Sequence, residues 1–250
     1  MKLQLILLDD LFYRGTAPTS ATATVMTGLG TQISTSTFND NIDKAEYVGY
    51  QYIDGQQHGY GKCDGTNASC TVNGNTVYNS AIKQAIDKWY AGTTLKDNDL
   101  IADQIFCNDR SASSIGANYY YGAHDRLISN TKPILTCPTA SDKFTSKNSS
   151  IGNKALTYPV GLITADEVAM AGGVYGSSNS SYYLYTNQKY WLGSPNVFYD
   201  AYGQVWIQDE KGSVISQYVS DESGVRPVIS LSTKAKLSGN GTYNDVYTVS

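Results

Sequence analysis

From Tyr182 to Leu231 the chain is cut into short runs of alternating apolar and polar residues separated by turn residues, a rhythm that suits antiparallel strands. Tyr182–Tyr185 and Lys189–Leu192 read as strands. Gln204–Gln208 alternates well, Asp209-Glu210-Lys211-Gly212 is a turn, and Ser213–Val219 returns, so this stretch reads as a hairpin. Val225–Leu231 is a further apolar strand, and Asn240-Gly241 marks a last tight turn. The upstream chain has a different period. Ser80 caps a helix with Ile82, Ile86 and Trp89 on one face, and Gly92 closes it. Thr164-Ala165-Asp166-Glu167 is a capping box, in which the Thr and Glu side chains serve free N–H groups of a first helical turn. Gly172-Gly173 ends that second helix. Glu46–Ile53 reads as a strand, and residues 54–79, rich in Gly, Asn and Cys, read as a stapled loop. Residues 15–41 hold Thr, Ser, Ala and Gly with Asp40 as the one charge, so residues 1–41 are expected to form an arm or linker and 42–250 the folded domain. Two helices followed by small antiparallel strands define an α+β, loop-rich fold.

Charged residues make up only 16% of the 250, against about 25% in ordinary globular domains. The polar surface must therefore come from Ser, Thr, Asn, Gly and Tyr. Twenty-one Tyr stand against 5 Phe. A buried Tyr hydroxyl needs a partner, so many of these rings are expected to lie half-exposed. Tyr, Ser, Gly and Asn are also the residues of antibody paratopes, although Tyr equally favours strands. The net charge is -4 with no basic block, which excludes a nucleic-acid partner and a polybasic membrane contact. No run reaches the ~18 apolar residues of a membrane helix, so no direct membrane insertion is expected. The start resembles a signal peptide only superficially, because Asp9-Asp10 interrupts a short apolar run. Export would then rely on a signal or anchor that has been removed or lies outside this chain.

Cys63, Cys70, Cys107 and Cys137 allow three pairings. Proximity in sequence favours Cys63–Cys70 with Cys107–Cys137, which implies an oxidising compartment; four reduced, buried Cys is the alternative. None forms a CxxC, and His58 and His124 are the only His, so a zinc site is not expected. No GxSxG, P-loop or HExxH occurs. Asp166 and Glu167 are adjacent on a helix and point apart, so they read as favourable charge at its N-terminus. Asp54, Asp64, Asn67, Asp97, Asn98 and Asp99 are loop oxygens of the kind Ca²⁺ takes, but without EF-hand spacing. The expectation is no cofactor and no metal, with Ca²⁺ the one exception the loops leave open.

Tyr190-Trp191-Leu192-Gly193-Ser194-Pro195, then about thirty residues, then Gly224-Val225-Arg226-Pro227-Val228-Ile229, resembles bacterial C-type-lectin-fold domains of the formylglycine-generating-enzyme/sulfatase-modifying type. Phe106-Cys107-Asn108-Asp109-Arg110 and the segment from Tyr158 to Glu167 look like Gram-positive gut-bacterial surface proteins with this domain. The resemblance covers residues 45–250 and implies a C-type-lectin-like fold. Trp191 would anchor its core, and Arg226, inside an apolar strand, would clamp loop carbonyls or a carboxylate. The oxidase of this group uses Cys in its C-terminal part, and here none follows Cys137; the related iron enzymes need a His cluster, and here there are two isolated His. The resemblance therefore implies a binding scaffold rather than an enzyme. Retroelement-diversified variable proteins share the fold and display a changeable surface just before the closing motif. The matching interval is 196–221. Its candidate ligand-binding residues are Asn196, Phe198, Tyr199, Asp200, Tyr202, Gln204, Trp206, Gln208, Gln217 and Tyr218. Phe198, Tyr199 and Tyr202 are expected in a loop, and Gln204, Trp206 and Gln208 on one strand face; the competing expectation is that the aromatics pack inward. The expected function is recognition of a protein or glycan at a cell or phage surface. The alternatives are a structural subunit assembling through the arm, and a hydrolase built around His124.

Overall fold

The computed structural model describes residues 4–5, 32–56, 61–115, 119–182, 184–239 and 248–250. His58, the Asn240-Gly241 turn and residues 6–31 of the expected arm lie outside the described residues. Strand β1 (Gln4–Leu5) is followed by β2 (Ser34–Thr37), β3 (Gln51–Ile53), β4 (Ser69–Val72), β5 (Asn75–Asn79) and helix α1 (Ala81–Ala91). Then come β6 (Ile101–Ala102), β7 (Phe106–Cys107) and α2 (Gly122–His124), which runs on as a π-helical turn over Asp125–Ser129. β8 (Lys143–Phe144), β9 (Val160–Leu162), α3 (Ala165–Met170) and β10 (Val174–Tyr175) lead to the long hairpin of β11 (Tyr190–Tyr199) and β12 (Tyr202–Gln208). β13 (Ser213–Tyr218), β14 (Glu222–Val225), β15 (Pro227–Leu231), β16 (Leu237–Ser238) and β17 (Thr248–Val249) complete the chain. Among the described residues, three helices and several small sheets make an α+β fold rich in β-structure.

The main sheet has six strands in the order β10-β13-β12-β11-β14-β2. β11, β12 and β13 are successive antiparallel neighbours, as the alternation predicts. The closing apolar run is not one strand. β14 belongs to the main sheet, whereas β15 pairs with β9, β6 and β1 in a second sheet. Arg226 sits at the switch, with its guanidinium 4.9 Å from the Tyr190 ring centre and Nη1 donating to Leu184 O at 2.8 Å. That bond takes a carbonyl of the expected Tyr182–Tyr185 strand into a turn, and the described residues there form no strand.

The arm boundary moves. β2 is an edge strand of the main sheet, and Phe38 is fully buried, edge-on to Trp191 at 5.6 Å. Trp191 Nε1 donates to Ser36 O at 2.8 Å, so residues 34–38 belong to the fold. The small side chains here belong to an edge strand rather than a linker. The expected strand over Glu46–Ile53 is a 3-10 turn (Ala45–Val48) before β3, because Glu46, Tyr47 and Val48 are all buried and cannot alternate. The expected loop over 54–79 contains the β4–β5 hairpin, whose Asn73-Gly74 turn has φ of 49° and 80°. Two positive φ values are what a two-residue hairpin turn requires.

Both expected helices form. Ser80 Oγ accepts from Lys83 N, and Ile82, Ile86 and Tyr90 are buried at helical spacing, with Trp89 only half-buried. A fully buried Lys83–Asp87 ion pair of 2.7 Å lies beside that stripe. The reciprocal capping box of Thr164 and Glu167 is present on α3. Disulfides join Cys63 to Cys70 and Cys107 to Cys137. Asn108 ties the upstream chain to the hairpin by accepting from Tyr50 N at 2.9 Å and donating to Gly193 O at 3.0 Å.

Candidate recognition surface

The β11–β12 hairpin is buried along most of its length and open at its tip. Tyr190 to Val197 are buried; Tyr199 and Tyr202 are 59% and 49% exposed. Asp200 and Ala201 make the turn with φ of 50° and 65°, which matches the twist of the flanking strands. Tyr199 and Tyr202 are directly paired, as are Gln204 and Tyr218 on the next strand pair. Paired residues and those two apart share a face, so Tyr199, Tyr202, Gln204 and Tyr218 project together. The Tyr202 and Tyr218 rings are 5.5 Å apart. Ser216 Oγ donates to Gln204 Oε1 at 2.8 Å, which orients the Gln204 amide beside them.

A segment that the sequence did not single out extends this surface. Tyr119 O accepts from Phe198 N at 2.8 Å, and Tyr121 N donates to Asn196 O at 2.9 Å. The outer half of β11 is thereby bordered by residues 119–121. The Tyr119 ring lies 4.5 Å from that of Tyr199 and 4.8 Å from that of Tyr120, and Tyr120 stacks on His124 at 3.7 Å. The Tyr119-Tyr120-Tyr121 run was the available signal, and without a strand pattern around it nothing joined it to the hairpin. The result is a ridge of Tyr rings held by backbone ladders, able to stack on apolar ring faces and to exchange hydrogen bonds through hydroxyl and amide groups.

The other predicted residues divide. Asp200 is exposed in the turn, and half-buried Gln217 donates to Glu222 O and Ser223 Oγ. Phe198, Tyr199 and Tyr202 are in strands rather than a loop, and Phe198 packs partly against the core. Trp206 and Gln208 are fully buried and Asn196 is 5% exposed, so direct ligand contact by these three is corrected to an interior role. The cause is coverage of β12: Tyr175 meets Trp206 edge-on at 5.7 Å, and Gln208 Oε1 accepts from the hydroxyls of Tyr182 and Tyr190. Burial drives the Tyr182 hydroxyl's pKa up, so it remains a proton donor in that cluster.

A cavity of about 400 Å³ opens beside the middle of β11, where Ser194 meets the N-cap Thr164 and Asp166 and Glu167 of α3, Arg126, and the Cys107–Cys137 disulfide. His124 does not line it. Burial lowers the His124 pKa, with adjacent Asp125 opposing, and its Nδ1 has no partner among the described residues. Asp125 instead accepts from Ser113 and Ser114. Among the described residues no three His, Cys, Asp or Glu side chains come together to hold a metal. Of the Ca²⁺ candidates, Asp54 pairs with Lys44 and Asp99 with Lys234, while Asp64 and Asn98 accept from nearby backbone N–H groups. Among the described residues no helix is long and apolar enough to cross a membrane. No protein-family model matches the sequence, and neither a curated protein nor a solved structure matches it.

Proposed function

We propose that the chain is a surface-displayed or secreted recognition domain, with a C-type-lectin-like scaffold, that binds a protein or glycan through Tyr119, Tyr199, Tyr202, Gln204 and Tyr218. The observation that carries this reading is the abrupt change along one hairpin, from full burial at Trp191 and Trp206 to three exposed Tyr at its tip and on the neighbouring strand. Large aromatics on a rigid ladder lose little entropy on contact, which is what a recognition site needs. The two disulfides and the low charge suit an extracellular setting. No catalytic step is assigned to any residue. The assembly reading rested on the arm, of which residues 34–38 are already used within the sheet.

The test is binding of the purified chain to glycan and protein arrays. The triple variant Tyr199→Ala, Tyr202→Ala, Tyr218→Ala is expected to lose the signals of the parent while its melting temperature stays nearly unchanged. Trp206→Ala is expected instead to cost about 3–5 kcal/mol of folding stability. An unchanged array profile in the triple variant, or its loss of cooperative unfolding, rejects the ridge as the site.

A further inference from the structure

The sheet face that carries the tyrosine ridge runs on past it. Tyr175 is paired with Val214 of β13, and its ring meets Trp206 edge-on at 5.7 Å. It therefore stands on the same face as Gln204, Ser216 and Tyr218. Taking the ridge as the recognition surface proposed above, we infer that its ligand is a neutral oligosaccharide, lying along this face from Tyr202 and Tyr218 to Tyr175.

Aromatic platforms bound a polar strip. Tyr202 and Tyr218 form the first, with ring centres 5.5 Å apart, and Tyr175, 47% exposed, forms the second. Val214, the partner of Tyr175, is four residues from Tyr218 along β13, which sets the platforms about 13 Å apart. A single sugar ring does not span that distance, so an oligosaccharide rather than a monosaccharide engages both. Half-buried Gln204 and Ser216 lie between them. Ser216 Oγ donates to Gln204 Oε1 at 2.8 Å, and the N–H donors of Gln204 Nε2 have no partner among the described residues. They are therefore available to a ligand hydroxyl. Beyond Tyr175 the strip stays open. Gly176 N donates to Val214 O at 3.2 Å, which holds the backbone there, and a Cβ on Gly176 would meet no described atom within 4 Å.

The chemistry of the strip selects the ligand class. From Tyr202 to Trp206 on β12, and from Ser216 to Tyr218 on β13, the side chains on this face carry no charge and no aliphatic group. A charged ligand finds no counter-ion among them. A protein partner takes most of its affinity from anchors seated in desolvated pockets, and the Ser194 cavity is lined by none of these residues. A pyranose ring presents an apolar C–H face and a rim of hydroxyls. The Tyr rings offer flat apolar area for that face, and their hydroxyls, with the Gln204 amide, offer donors and acceptors for that rim.

The test uses the disulfide-intact chain, titrated with maltohexaose, cellohexaose, mannohexaose and chitohexaose, and with the disaccharide of each series, and followed by NMR chemical shifts. At least one hexasaccharide is expected to bind saturably at millimolar concentration or below, about tenfold more tightly than its disaccharide, and to be insensitive to salt. Tyr175→Ala is expected to weaken the hexasaccharide about tenfold and to leave the disaccharide unchanged, while Tyr175→Phe keeps most of the affinity. Ser216→Arg sets a long charged side chain across the strip and is expected to abolish binding with cooperative unfolding retained, so the test does not depend on Tyr175→Ala folding. No saturable binding of any of the hexasaccharides, or binding unaffected by Tyr175→Ala and Ser216→Arg, overturns the inference. Array signals confined to proteins and lost in the triple Tyr variant overturn the oligosaccharide but keep the ridge as the site. An array profile that the triple variant retains overturns the ridge itself.

Discussion

Trp206 and Tyr202 lie on the same face of β12, four residues apart, and one is fully buried while the other is half-exposed. Alternation correctly put Gln204, Trp206 and Gln208 on one face but was silent on what covers it. Tyr175, which caps Trp206, comes from a two-residue strand that pairs with β13, and such a short run carries no period to read. Exposure was therefore legible at Tyr199, Tyr202 and Tyr218 and illegible at Trp206 and Gln208, because burial there is decided by a distant residue. The acid response is also decided by single residues. His124 has a pKa below its ordinary 6.5 through burial, so the unfolded chain takes up that proton more readily than the folded one. Stability is then greatest above about pH 6.5 and is lost as pH falls through the lowered pKa. Asp125 acts in a second, lower window. Burial works to raise its pKa, but the bonds from Ser113, Ser114 and Ile115 prevail and hold it below 3.8, so its contribution fades as pH falls beneath that value. Unfolding midpoints measured against pH should show the first loss in the parent and not in His124→Gln.

At the scale of elements, the clearest sequence signals were local. The Ser80 and Thr164 caps and the Asp209–Gly212 turn stand where side-chain chemistry put them. The turn at Asp200-Ala201 had no such signal, since Ala is a poor residue for a φ of 65°. That strain is expected to be relieved in Ala201→Gly, raising stability by up to about 1 kcal/mol in denaturant unfolding. The same substitution should leave ligand binding intact, because Tyr199 and Tyr202 keep their register. The π-helical turn after α2 was equally unreadable: Asp125 and Leu127 are buried two residues apart, a strand-like spacing inside a helical turn.

Across the whole molecule, both disulfides lie before residue 140, and no Cys follows to staple the main sheet. The sheet is held by its own packing, whereas the upstream loops depend on covalent closure. Loop-closure entropy assigns roughly 3.5 kcal/mol to Cys107–Cys137 and roughly 2.5 kcal/mol to Cys63–Cys70. Denaturant unfolding of Cys107→Ala/Cys137→Ala and Cys63→Ala/Cys70→Ala should rank the two in that order. The α+β class was visible in the sequence because helix and strand periods occupy separate stretches. The arm boundary was not, because Ser34–Thr37 and Phe38 owe their place to Trp191, more than 150 residues away. The hairpin carries one more consequence. Its two long strands are locked inside as far as Val197, Phe198 still packs partly against the core, and from Tyr199 to Tyr202 the side chains meet water. Positions 199 and 202 can thus be exchanged together, by mutation in nature or by a combinatorial library in the laboratory, while 200 and 201 keep residues that accept a positive φ. New specificities would then come at little thermodynamic risk to the molecule that displays them.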